Sequence, residues 1–232
     1  MGGAASTFTT SPTAGVSLGP AEDATAPAGH TPNILIAMGP NFDRRTALIV
    51  VDVQNDFADP KGALFVQGGE LVAARVGQLM QEARRQGALV VCSQDWHPLQ
   101  TPHFADHGGI WPRHCVQDTW GAELHPRLPE PEQVIRKGLG DQDGYSAFGT
   151  LSLATGEVVP TPLAELLSGR GIEAVFVAGL ALDVCVKATA LDATTSGFST
   201  HLIADATAAV NLQRGDGDRA LAEMAERGIA VV

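Results

Sequence analysis

The 232-residue chain is short of several things, and each shortage excludes a class of function. Positive charge is scarce: 15 Lys and Arg against 26 Asp and Glu leave a formal net charge of -11. A phosphate backbone is gripped by a basic surface, so nucleic acid is not an expected partner. The acidic balance serves solubility instead. No uninterrupted apolar run is long enough to span a bilayer, so no membrane partner is expected. Cysteine is limited to Cys92, Cys115 and Cys185, an odd and sparse set that is no disulfide framework and fits a reducing cytoplasm. Internal repeats are missing. So is any glycine-rich loop at a strand-to-helix turn, which leaves a nucleotide-binding reading without a motif.

Residues 1–43 also lack basic residues, the first being Arg44. Rich in Ala, Gly, Thr, Ser and Pro, they read as neither a secretory signal nor a transit peptide. They are expected to form a flexible N-terminal extension, or to reflect an upstream start with Met38 as an alternative. Ile34-Leu35-Ile36 is a short apolar patch able to dock on the domain, which is expected to run over 44–232.

From Arg44 onward the pattern is strand, loop, helix, repeated. Residues 47–51 form a β-branched run suited to a strand buried on both faces. Further strands are predicted at 88–92, 134–135, 174–178, 200–203 and 229–232. Helices are predicted over 70–86, 162–167, 183–196 and 217–226, with Gly87, Gly169, Gly197 and Gly228 as stop signals. The expected fold class is α/β, with three layers: a mostly parallel six-stranded sheet with helices on both faces.

In open parallel sheets, sites form beyond the carboxyl ends of the strands. Four predicted strand ends each deliver an ionisable or reactive group: Asp52, then Asp95 with His97, then Lys137, and, after Gly179-Leu180-Ala181, Cys185. Asp95 and His97 are two apart and share a face on extended chain. His103 and His114 follow in a loop stiffened by Pro98, Pro102 and Pro112. One carboxylate and three imidazoles suit a borderline divalent ion such as zinc, iron or manganese. Singly, each is an ordinary loop hydrogen-bonder; as a set of four they read as a metal site. His107 competes as a ligand and Cys115 less so, while His30, His125 and His201 stand apart.

Cys185 falls in the first turn of the helix predicted from Asp183, where free N–H groups favour a thiolate or an oxyanion. Alone it would be a small packing residue, as Cys92 is expected to be. Lys137 beside it would lower the thiol pKa, and Asp52 could shuttle its proton. Asn55 and Asp56 read as turn residues.

These residues sit in VDVQNDF (51–57), QDWH (94–97), HF (103–104), WPRHCV (111–116), RKG (136–138), YSAF (145–148) and GLALDVCV (179–186). Over most of the chain from Arg44, this set resembles the nicotinamidases of the cysteine hydrolase superfamily, which have an isochorismatase-like, Rossmann-like fold. The resemblance implies a nucleophile at Cys185, a general base and acid at Asp52 and electrostatic support from Lys137. It implies an oxyanion hole from the N–H groups of Ala181 and Cys185, with a cis peptide between Leu180 and Ala181. A divalent metal on Asp95, His97, His103 and His114, zinc first among the choices, would hold the pyridine nitrogen of nicotinamide. Phe57, Trp111 and Tyr145 would flank the ring. The activity implied is amide hydrolysis to nicotinate and ammonia in NAD salvage, extending to related amides such as pyrazinamide. Self-association into a homo-oligomer is common in such folds. Three departures bear on pocket shape: Leu182, Val184 and the polar segment between Lys137 and Tyr145. The other readings of the same residues are a cysteine amidohydrolase for another amide or carbamoyl substrate, and a non-catalytic metal-binding module.

Overall fold

The computed structural model describes residues 39–232. Residues 1–38, including most of the expected extension, its apolar patch, His30 and Met38, lie outside the described residues. Phe42, just ahead of the expected domain boundary, is buried and packs edge-on against Phe176 at 5.0 Å between ring centroids.

The first strand, β1 (Thr46–Val51), is buried at every position. Such a run of β-branched and aliphatic residues suits only a central strand; each of Leu48, Ile49 and Val50 contributes about 1.5–3 kcal/mol by leaving water. A four-residue helix, α1 (Asn55–Ala58), leads to α2 (Gly69–Gln86). That helix stops where the sequence predicts, at Gly87 in the left-handed conformation (φ 85°). Then come β2 (Leu89–Asp95), a long loop and β3 (Gln133–Lys137). Three short strands follow: β4 (Gln142–Asp143), β5 (Gly149–Ser152) and β6 (Val158–Pro160). The chain continues through α3 (Leu163–Gly169), β7 (Ala174–Leu180), a π-helical turn (Leu182–Val186) and α4 (Lys187–Thr195). It closes with β8 (Ser199–Ala208), α5 (Asp216–Glu226) and β9 (Ala230–Val231).

The six long-range strands make one sheet in the order β3-β2-β1-β7-β8-β9, and every pairing is parallel. Leu48, Val50 and Val90 point to the face covered by α2, through Val72, Val76 and Leu79. Ile49, Val91 and Val177 point to the face covered by α3, α4 and α5, through Leu163, Ala190 and Met224. The expected three-layer α/β architecture is therefore present. The chain winds outward from β1 toward β3 on one side and from β7 toward β9 on the other. The strand order thus switches between β1 and β7, where a doubly wound sheet opens a crevice at its carboxyl edge.

Two features differ from the sequence reading. β4, β5 and β6 form a separate antiparallel sheet that was not predicted, because strands of two to four residues carry too little pattern to see. The helix predicted over 183–196 begins as a π-helical turn: Ala181 O accepts from both Val184 N and Val186 N, which widens the backbone around Cys185 before α4 starts.

Candidate active site

Four adjacent strands deliver the expected residues to one edge. β3 is an edge strand, so its residues alternate: Val134 and Arg136 point out, while Ile135 and Lys137 point in. Arg136 lies over the Trp96 ring, 3.8 Å from its centroid. Asp95 pairs in register with Lys137 on the neighbouring strand. Asp52 follows β1 at φ 49°, an uncommon left-handed conformation for a non-glycine residue, and the strand's alternation ends there. The Leu180–Ala181 peptide is cis, as the resemblance implies. At Gly179 (φ 122°) a Cβ would overlap the Val51 backbone, so only glycine lets β7 run this close to β1.

Lys137 is the hub. It is 1% exposed, and its ammonium lies 2.8 Å from Asp52 Oδ2 and 2.5 Å from Asp95 Oδ1. It donates to Gly144 O and approaches Cys185 Sγ at 3.8 Å. Burial alone would deprotonate it, but Asp52, Asp95 and Cys185 together raise its pKa well above the ordinary lysine value. Ser93 Oγ donates to Asp52 Oδ1 at 2.6 Å. The other oxygen, Oδ2, receives no directed hydrogen bond, so its contact with Lys137 is ionic. Carboxylate oxygens of Asp52 and Asp95 lie within 4.8 Å of each other and of Cys185 Sγ.

Lys137 pulls the Cys185 thiol downward as expected, and other groups oppose it. Lys137 does stand beside the sulfur, yet burial outweighs it, and Asp52 and Asp95 push the same way, so the Cys185 thiol titrates well above its ordinary value. Burial also lifts Asp52 from 3.8 to about 6 against the pull of Lys137, which leaves it ionised at neutral pH and basic enough to take a proton.

Beyond Asp95 lies the second group. His97, His103 and His114 are buried, and each brings a ring nitrogen within 4.8 Å of the others. Asp95 Oδ2 is 3.8 Å from His97 Nε2 and 3.9 Å from His114 Nε2. The far nitrogens of two rings are taken: His103 Nδ1 meets Asp143 Oδ1 at 2.5 Å, and His114 Nδ1 meets Pro112 O at 2.7 Å. Neither nitrogen of His97 has a partner among the described residues. A buried imidazole with both nitrogens unmet is costly, and a cation between these rings would satisfy one of the two. Burial lowers the pKa of His103 and brings that of His114 to about 4, which keeps these rings neutral, as ligands must be. Asp95, despite burial, is held below the usual carboxylate range by Lys137 and the surrounding histidines. The donor set of three imidazoles and one carboxylate therefore fits a divalent metal. Gly138 (φ 70°) makes room for the His97 ring, which a Cβ there would overlap.

A pocket of about 390 Å³, counted to its open mouth, is lined by residues of both groups, Cys185 and Ala181 together with Asp95, His103 and His114. The three expected aromatics, Phe57, Trp111 and Tyr145, all line it. Trp111 Nε1 donates to the Tyr145 hydroxyl at 2.9 Å. Sequence reasoning missed the aliphatic wall of Leu64, Val66 and Val210, and it named Val184 only as a departure. Ser93 and Asp143 were missed as well. Ser93 was findable, since it lies two residues before Asp95 on the same face of β2. Of the competing ligands, His107 is exposed and lies beside Asp106, and Cys115 is buried with its sulfur toward Gly121 O. His125 accepts from Arg127 N, and His201 stacks on Phe176, both away from the site. Cys92 packs in the core as expected.

The isochorismatase domain family matches residues 46–232. The nicotinamidase of Escherichia coli K12 is 36% identical over 200 residues, covering 78% of this chain and 92% of that protein. The crystal structure of the Pyrococcus horikoshii pyrazinamidase in complex with zinc superposes with a TM-score of 0.72 at 42% identity, covering 81% of this chain and 98% of the other. PnC1 from L. infantum in complex with nicotinate gives 0.75 at 38% identity, covering 83% and 95%. The chain thus belongs to the isochorismatase domain family and stands within it among the nicotinamidases.

Proposed function

We propose that this protein hydrolyses nicotinamide to nicotinate and ammonia through a thioester on Cys185, with related aromatic amides such as pyrazinamide as further substrates. The observation that carries this reading is the shared hub: one buried ammonium, Lys137, touches both the carboxylate next to the sulfur and the carboxylate of the histidine cluster.

Attack forms the bond between Cys185 Sγ and the amide carbon while the thiol proton passes to Asp52. The N–H groups of Ala181 and Cys185 hold the oxyanion. Asp52 then returns the proton to the amide nitrogen, the C–N bond breaks and ammonia leaves. Water attacks the thioester, losing a proton to Asp52, which passes it to the departing sulfur as nicotinate is released. Lys137 keeps its charge throughout and offsets that of Asp52 and the transient sulfur anion. Asp95, His97, His103 and His114 would hold one divalent ion, zinc by this reading. When bound it supplies a Lewis-acid anchor for the pyridine nitrogen and so orients the ring. Phe57, Trp111 and Tyr145 pack the flat ring against the aliphatic wall. Among the described residues, no helix is long and apolar enough to cross a membrane.

Elemental analysis of purified protein, paired with ammonia release from nicotinamide and from benzamide, tests the proposal. The expected outcome is one divalent ion per chain and strong preference for nicotinamide. Equal turnover of benzamide, which lacks the ring nitrogen, would shift the reading to a cysteine amidohydrolase for another amide or carbamoyl substrate.

A further inference from the structure

We infer that Asp143 is a positioning residue for the ion site, fixing the tautomer and orientation of His103. The assignment rests on the reading of Asp95, His97, His103 and His114 as metal ligands.

His103 comes from a loop, not from a strand end, so the sheet does not fix its ring. Its Nδ1 lies 2.5 Å from Asp143 Oδ1, the closest contact any of the three rings makes through its distal nitrogen. A carboxylate accepts only, so Nδ1 carries the proton and the Nε2 lone pair is left to face the other imidazoles. Hydrogen bonding to a carboxylate also makes the opposite nitrogen a better donor to a cation. The Asp143 carboxylate reaches one of the three rings, His103, and does so at Nδ1. It stands behind His103, partly exposed, with 22% of its side chain accessible.

The backbone around Asp143 explains how it holds its place. Asp143 ends β4, which pairs with β5 through Asp143 and Leu151. The next residue, Gly144, offers its carbonyl to Lys137 Nζ, and the one after, Tyr145, receives Trp111 Nε1 on its hydroxyl. Three consecutive residues therefore touch a ligand, the ammonium hub and a pocket aromatic. The small antiparallel sheet anchors this strap, which gives the polar segment after Lys137 a purpose its sequence did not announce.

The test uses the full chain. Zinc affinity is measured by competition with a chromophoric chelator, and the His103 tautomer by long-range ¹⁵N–¹H correlation. Asp143→Ala should weaken zinc binding about 10–100-fold and convert His103 from a single Nδ1–H tautomer to a mixture. Asp143→Asn, which keeps an acceptor of the same size and guards against a folding defect, should restore the tautomer and fall between the two in affinity. Zinc affinity of Asp143→Ala within twofold of wild type would overturn the assignment, as would weakened binding with the tautomer unchanged. A wild-type protein that binds no divalent ion would instead remove the metal reading and this assignment with it.

Discussion

On one side of Asp95, the ammonium of Lys137 closes onto two carboxylates and a sulfur, all contributed by neighbouring ends of a parallel sheet. On the other side three imidazoles crowd together, all of them from the segment after β2, and His97 keeps both nitrogens unmet among the described residues. The first group sets its ammonium against its carboxylates within the protein, whereas the second has no cation of its own to meet the His97 ring. Reactive chemistry is built on the rigid sheet, and ligand selection on the loops beside it. Asp95 belongs to both, giving Oδ1 to Lys137 and turning Oδ2 to the rings.

The largest effect should come from breaking the sheet-borne group at its sulfur. Cys185→Ala is expected to lower ammonia release on the order of 10⁴-fold or more while leaving bound ion stoichiometric. Retained turnover in that variant would rule out the thioester route. Lost metal would show that the two groups are not separable as their geometry says.

Next in size is Lys137→Met, which removes the hub. Asp52 and Asp95 would then face each other buried without a cation, a loss of about 3–5 kcal/mol in denaturant unfolding of the metal-free protein. Added zinc should return part of that stability through Asp95. A metal-free variant as stable as wild type would mean that the ammonium is not what compensates these carboxylates.

Gly138→Ala breaks the other side alone. The new Cβ overlaps the His97 ring in a backbone conformation that already disfavours L side chains. Zinc affinity should fall about tenfold or more, while the alkylation rate of Cys185 stays at the wild-type value. A parallel change in both would show that the glycine serves the whole edge of the sheet.

The two sides also differ in how far the sequence disclosed them. The sheet-borne residues were legible because a strand end is marked by where a β-branched run stops, as at Val51 before Asp52. Lys137 was findable by the same rule even though β3 shows only Val134 and Ile135 as a run. The imidazoles were legible as a set, through spacing and residue type. The protonation state of Cys185 was not, because it depends on the balance of burial against Lys137, and burial is a property of the assembled fold. Nor was the role of Asp143: its contact with His103 spans 40 residues and depends on the pairing of β4 with β5, which no local periodicity announces. The aliphatic pocket wall was missed for a related reason, since Leu64, Val66 and Val210 come from loops whose approach to Cys185 is set by packing.

The smallest expected effect separates the two groups by pH without any mutation. Asp52 is a carboxyl whose pKa burial raises to about 6, so its ionised, proton-accepting form is lost as pH falls through that value. The Cys185 thiol and the Lys137 ammonium both titrate well above their ordinary values, so neither changes state between pH 5 and neutrality. His114 is brought down to about 4 by burial and Asp95 is held below the carboxylate range, so these two ligands keep their binding forms at pH 5, and burial shifts His103 in the same direction as His114. Turnover measured as kcat/KM should therefore drop about tenfold between the neutral plateau and pH 5, one unit below the Asp52 value. The ion should stay bound over the same range, as followed by dialysis and elemental analysis. If activity and metal instead disappear together along one titration curve, the acid limb belongs to the imidazoles and Asp52 is not the group that accepts the thiol proton.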